Sequence, residues 1–213
     1  MNEVEITRET YDEIAADYAR RLKDPYLGGS KAYHKLAINR FVSLLPSPKA
    51  RILDLGCGFG HDLGYFLARG LNIYGVDLSR GMLSLARRDF PEAQLCHMDM
   101  RWLNFRPESF GGVWAAHCLY HIPRRDIDRV ISGIRQVLLP QGTFFCSLKL
   151  GEGEGIYTDQ QAVSYPGKPR FYAPYTESEA REILNGFDIV EWDVKPEIYY
   201  GSAWLYVWSK KSV

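Results

Sequence analysis

Several features are scarce in this sequence, and each scarcity excludes something. No apolar run in its 213 residues approaches the roughly 20 that a membrane span requires. Neither sign of charge is in excess, with Lys plus Arg at 26 and Asp plus Glu at 26, so no overall field draws the chain to nucleic acid or to an anionic membrane. The four cysteines, Cys57, Cys96, Cys118 and Cys146, lie far apart with no CxxC pair; that usage fits small core residues in a reducing compartment. Repeats and low-complexity segments are lacking, and no second domain is visible. The start, Met1-Asn2-Glu3-Val4-Glu5, is acidic where a signal peptide would be basic and then apolar. The expectation is a cytoplasmic protein of one α/β domain with a full core, 46% hydrophobic and 24% charged.

The chain is organised around Ile52-Leu53-Asp54-Leu55-Gly56-Cys57-Gly58-Phe59-Gly60. Arg51 to Leu55 reads as a short strand that ends in a loop with glycine at every second position. The apolar spacing of Leu63, Tyr65, Phe66 and Leu67 then suits a helix closed by Gly70. A strand feeding a helix through such a loop is half of a βαβ unit, where nucleotide-like ligands sit at the carboxyl ends of strands. The third glycine comes at 60, one residue before the dinucleotide fingerprint would place it, which counts against NAD and FAD. A second strand, Leu71 to Asp77, ends in an acid 21 residues after Gly56, where this fold presents a carboxylate to the vicinal hydroxyls of a ribose.

Strand and helix keep alternating. Gln94–His97 and Gly112–His117 read as strands, a helix follows Pro123, and Thr143–Leu148 is a fifth strand. The alternation predicts a doubly wound, mostly parallel sheet. Two capping boxes, Thr10-x-x-Glu13 and Thr176-x-x-Glu179, predict helices starting at Tyr11 and near Glu177. A further helix is expected over Lys31–Leu45. Phe187–Val194 and Trp204–Ser209 are two strands with no room for a crossover helix, so they must pair antiparallel. The segment 151–175, glycine-rich and then aromatic, interrupts the rhythm and reads as a lid.

Taken in order, these motifs resemble the class I S-adenosylmethionine-dependent methyltransferases. The match rests on Tyr11-Asp12-x-Ile14-Ala15-x-x-Tyr18, the glycine loop and Gly75-Val76-Asp77-Leu78-Ser79-x-x-Met82. Met98-Asp99-Met100, Phe110-Gly111-Gly112-Val113 and Leu119-Tyr120-His121-Ile122-Pro123 follow. The resemblance implies one domain with a seven-stranded Rossmann-like sheet, mostly parallel, ending in an antiparallel hairpin. Its parts would be a helical cover over 1–45, a cofactor core over 46–150, a lid and substrate insertion over 151–175, and a C-terminal helix and hairpin over 176–213.

The cofactor implied is S-adenosylmethionine, with S-adenosylhomocysteine as product. The loop residues Asp54, Gly56, Cys57 and Gly58 would hold its methionine part, and Asp77 its ribose. Leu78 and Met82 would pack on the adenine, Asp99 accept from its amino group and the Met100 amide reach a ring nitrogen. Tyr11 and Tyr18 would close over it, and His117 would border the methionine end. His117 and His121 are candidate general bases, since histidine titrates near neutrality. Arg170, among tyrosines that include Tyr165, would grip the acceptor with Tyr172 and Tyr175. The acceptor is expected to be a small molecule methylated on oxygen or nitrogen, with no nucleic acid or membrane partner, by a monomer or homodimer. A non-catalytic cofactor-binding module and a nicotinamide oxidoreductase are the alternatives. The five histidines, His34, His61, His97, His117 and His121, show no ligand spacing with carboxylates or cysteines, so no metal is expected.

Overall fold

The computed structural model describes residues 2–23, 31–158, 167–196 and 203–212. In chain order the elements are α1 (Glu3–Lys23), α2 (Lys31–Ser43), β1 (Arg51–Leu55), α3 (Leu63–Leu67), β2 (Asn72–Asp77), α4 (Arg80–Asp89), β3 (Gln94–His97) and β4 (Phe110–Ala115). There follow α5 (Arg124–Val137), β5 (Leu138–Leu150), β6 (Gly155–Tyr157), β7 (Arg170–Tyr172), α6 (Glu177–Ile183), β8 (Phe187–Pro196) and β9 (Ala203–Lys211). Seven strands form one sheet in the order β3-β2-β1-β4-β5-β9-β8. The first five are parallel, and β9 pairs antiparallel with both β5 and β8. Strand order reverses between β1 and β4, which opens a crevice at their carboxyl ends.

Side chains alternate across the strands, so each strand feeds two cores. Leu53, Val113 and Phe144 face one side, with Ile127, Val130 and Ile134 of α5. Ile52, Trp114 and Phe145 face the other, with Ile38 and Phe41 of α2 and with Phe66 and Leu83. Among the described residues no helix is long and apolar enough to cross a membrane, and all four cysteines are free thiols.

α1 begins eight residues earlier than the Thr10 capping box predicts. The reciprocal cap is Asn2 with Glu5: Glu5 N–H donates to Asn2 Oδ1 (3.0 Å) and Asn2 N–H to Glu5 Oε2 (3.1 Å). Thr10 instead sits inside the helix and donates its hydroxyl to the Pro169 carbonyl at 2.5 Å. Thr176 and Glu179 do form their box.

Asp12 fixes where α1 lies. Its Oδ1 accepts from the Ser79 hydroxyl (2.7 Å) and the Gly81 amide (2.8 Å), while Oδ2 accepts from Arg8 (2.8 Å). The helix is thereby pinned across the amino end of α4. Replacing Asp12 by alanine is expected to lower stability by about 1–3 kcal/mol, because the Gly81 amide loses its acceptor. Ligand affinity in the crevice beneath should fall several-fold as the cover loosens. Denaturant titration with a matched binding isotherm checks this; unchanged affinity would separate α1 from the site.

The segment 151–175 is more firmly tied than a lid. β6 and β7 pair as a short ribbon, and Phe171, Ala173 and Tyr175 are core residues. The Phe171 amide donates to Thr7 Oγ1 (2.9 Å), the Tyr175 amide to the Lys149 carbonyl (2.9 Å), and Lys168 pairs with Glu13. The second half of the segment therefore carries α1. Tyr165 lies outside the described residues.

Candidate active site

The glycine loop turns sharply because two amides share one acceptor: Gly56 N–H and Cys57 N–H both donate to the Val76 carbonyl, at 2.8 and 3.1 Å. Gly56 has φ +66°, and a Cβ there would lie 2.6 Å from Cys118 Cβ, so only glycine fits. Gly58, at φ +54°, has no described atom beyond its chain neighbours within 4 Å of where a Cβ would be, leaving a bare backbone face toward the cavity. Its amide donates to Asp77 Oδ2 (2.8 Å), while Ser79 N–H donates to Asp77 Oδ1 (2.8 Å). Asp77 thus ties the loop after β1 to the tip of β2.

The cavity above these strand ends is lined by Tyr11, Tyr18, Asp54, Gly56, Cys57, Gly58, Asp77, Leu78, Met82, Asp99, Met100 and His117. Every residue assigned to the cofactor from sequence therefore meets in one place. Tyr11 and Tyr18 reach it from α1, ring edge to ring face at 5.6 Å.

The cavity is acidic, and the arginine in its lining is already committed. Arg8 is paired with Glu9 and Asp12. Asp99 is gripped by Arg101 (2.7 Å), which also reaches Asp126 (3.0 Å). Asp54 is buried, and among the described residues its Oδ2 has no hydrogen-bond partner. Burial, with the negative charges of Asp62 and Asp77, holds the Asp54 carboxyl well above the usual carboxylate range. Burial also raises Asp77, against the amides that favour its charge. A buried acceptor without a partner, inside an acidic cavity, suits a ligand bearing cationic and donor groups.

His121 lines the cavity, but both its nitrogens are occupied. Nδ1 lies 2.7 Å from the Phe171 carbonyl and so must be the N–H; Nε2 is then the acceptor for the Tyr11 hydroxyl at 3.0 Å. Burial pushes His121 down to about 3 and His117 to about 4. Both are neutral at physiological pH and weak as bases, contrary to the reason they were singled out. His117 holds a left-handed backbone (φ +54°), secured by its amide donating to Ser147 Oγ at 2.7 Å.

Arg170, Tyr172 and Tyr175 do not line the cavity. Arg170 is 5% exposed, its guanidinium 5.5 Å from the Tyr172 ring and 6.0 Å from the Tyr11 ring. It stands behind Tyr11, where its charge opposes the rise that burial gives the phenol. Tyr172 stacks on Tyr120 at 5.6 Å, and Tyr175 is core, under the Arg124 guanidinium at 4.8 Å. Arg170 is sheathed by aromatic rings, and among the described residues its buried Nε has no hydrogen-bond partner, a placement that sequence spacing cannot show.

Sequence reasoning also missed residues. His34, His61 and Asp62 line the same cavity, and one ligand-type atom from each lies within 4.8 Å of the others. Sequence spacing alone did not bring these three residues together; the fold assembles them. His61-Asp62 directly follows the glycine loop, but nothing in the sequence links it to His34.

The chain is similar in sequence and in fold to known methyltransferases. Residues 52–142 match the methyltransferase-domain family. An uncharacterised methyltransferase of Synechocystis is 30% identical over 124 residues, 58% of this chain and 57% of the relative. A ubiquinone/menaquinone biosynthesis C-methyltransferase of Campylobacter jejuni is 25% identical over 149 residues, 67% of this chain and 63% of the relative. The chain thus spans about three-fifths of the length of these two curated relatives. In fold it is similar to the 1,6-didemethyltoxoflavin N1-methyltransferase of Burkholderia thailandensis, solved with its substrate and S-adenosylhomocysteine, at TM-score 0.69 and 22% identity over 98% of this chain and 88% of that one.

Proposed function

We propose, from the premise that the chain belongs to the class I S-adenosylmethionine-dependent methyltransferase family, that it moves a methyl group from S-adenosylmethionine to an oxygen or nitrogen of a small molecule. The observation that carries this is the buried, partnerless Asp54 oxygen in a cavity bounded by Asp77 and Asp99. The ligand has an ammonium group for the first acid, a ribose diol for the second and an exocyclic amine for the third.

Leu78 and Met82 offer apolar surface to the faces of a base, and Gly58 offers bare backbone to a chain lying along the loop. When bound, S-adenosylmethionine supplies a methyl group on cationic sulfur, open to displacement in line by a lone pair. The protein's part is to align the acceptor, keep water out beneath Tyr11 and Tyr18, and take a proton where the acceptor has one. A nicotinamide cofactor fits worse, since its pyrophosphate would meet acids and a loop whose third glycine comes early.

Calorimetry is expected to give micromolar or tighter binding of S-adenosylhomocysteine and at least a hundredfold weaker binding of NADH. The reverse order would overturn the reading. A panel of phenols, hydroxyquinones, amines and small carboxylates, assayed for cofactor turnover, then separates an enzyme from a binding module. The hydroxyquinones also test carbon as the atom methylated.

A further inference from the structure

The four histidines around the cavity do not share one environment. His117 and His121 are half-buried and neutral, and among the described residues no carboxylate is hydrogen-bonded to either ring. His34, on α2, has Nε2 2.6 Å from Asp62 Oδ1. The second Asp62 oxygen accepts from the Trp114 indole at 2.7 Å. An indole N–H can only donate and an ionised carboxylate can only accept, so this chain of contacts sets the proton. Nε2 of His34 carries the hydrogen, and Nδ1 is left with its lone pair. Among the described residues no partner holds Nδ1, and His34 lines the cavity.

We propose that His34, oriented by Asp62 and Trp114, is the general base of the methyl transfer, accepting the acceptor's proton on Nδ1. The inference rests on the methyltransferase reading above. In the step, the acceptor's O–H or N–H proton passes to Nδ1, the heteroatom's electron pair forms the new bond to carbon, and sulfur keeps the pair of the bond that breaks. Asp62 then faces an imidazolium, whose charge it stabilises through Nε2–H, as the carboxylate of an Asp–His dyad does.

The placement agrees with this role. His34 packs beside His117 (6.2 Å, stacked) and edge-on to Trp114 (5.9 Å). That is the β4 side of the crevice, across the sheet from the Asp77 and Asp99 end. Burial lowers the imidazole's pKa, but the Asp62 charge and hydrogen bond outweigh it and leave His34 above its ordinary value. Asp62 itself stays below the carboxylate range, since the His34 and His61 charges overcome its burial. His61 and His117 are the other titratable groups facing the ring, and the Asp62 charge also acts on Asp54.

A cation shared by His34 and Asp62 is disfavoured by the same 2.6 Å contact. Two ligands on one zinc, each about 2.0–2.2 Å from it at near-tetrahedral angles, stand about 3 Å or more apart. The separation observed is that of a hydrogen bond.

The test uses the whole chain saturated with S-adenosylhomocysteine, followed by nitrogen-resolved NMR of the histidine rings against pH. His34 is expected as the Nε2–H tautomer, protonating above the ordinary histidine range, with its pKa falling in Asp62→Asn. In turnover with whichever acceptor the panel identifies, His34→Gln should lower kcat about a hundredfold and lose the acidic limb of the pH profile. S-adenosylhomocysteine affinity should stay within about threefold, which would leave the methyltransferase reading standing whatever His34 does. The proposal is overturned by an Nδ1–H tautomer, by a pKa that ignores Asp62→Asn, by kcat within threefold of wild type, or by stoichiometric metal whose removal abolishes activity.

Discussion

Replacing Asp77 by alanine should weaken S-adenosylhomocysteine binding by about a hundred- to a thousandfold while the protein stays folded. Two losses combine. The ribose hydroxyls lose a charged acceptor, an interaction worth about 1.5–3 kcal/mol. The Gly58 and Ser79 amides, both at 2.8 Å from this carboxylate, lose theirs as well, so the loop that should cradle the ligand is no longer ordered by the strand tip beside it. A further 1 kcal/mol or so from that disorder brings the total to about 2.5–4 kcal/mol, roughly a hundred- to a thousandfold in Kd. The fold should survive because burial already disfavours the Asp77 charge, and removing it relieves that cost. Asp77→Asn keeps one acceptor oxygen and should fall between. A dissociation constant within threefold of wild type for Asp77→Ala would reduce the residue to a turn acid.

Trp114→Ala should lower unfolding stability by about 3–5 kcal/mol, a large share of the 5–15 kcal/mol typical of a domain. Trp114 is fully buried, stacks on Phe145 at 3.9 Å, and meets Phe41 at 5.2 Å and Phe66 at 5.7 Å. Truncation opens a cavity between the sheet and α2, and the lining rings cannot collapse into it without leaving Phe145. It also removes the donor to buried Asp62, stranding a carboxylate oxygen. Trp114→Phe separates the two effects, since it keeps most of the packing and loses only the N–H; about 1–3 kcal/mol is expected. Urea midpoints read both variants. Equal losses for alanine and phenylalanine would show that the hydrogen bond, and not the packing, dominates.

Much of this protein was legible in the order of its residues, because the relevant physics is local. The β1 strand, the glycine turn and the acid at the tip of β2 lie within about twenty-five residues. Each is specified by neighbours: an apolar run, positive φ, a strand end. The alternation of strands and helices fixed a parallel sheet, because a parallel crossover needs a helix. The cofactor-side residues could be named for the same reason, since parallel strands bring their carboxyl ends together whatever the rest of the chain does.

What tertiary structure decided is how distant polar groups choose among partners. Thr10 begins a capping box in the sequence, but in the fold its hydroxyl goes to the Pro169 carbonyl, and Asn2 with Glu5 caps α1 instead. Asp12 meets Ser79 and Gly81 only because α1 packs across α4. Arg170 and Tyr175 read as a substrate grip, but the chain turns them inward, where aromatic rings and core side chains cover them. His34 and Asp62 are separated by 28 residues, and no periodicity spans that gap. A hydrogen bond depends on position to within a few tenths of an ångström. Only the packing of α2 against Trp114 and the sheet supplies that precision, so the dyad exists in the folded protein and nowhere in the order of its residues.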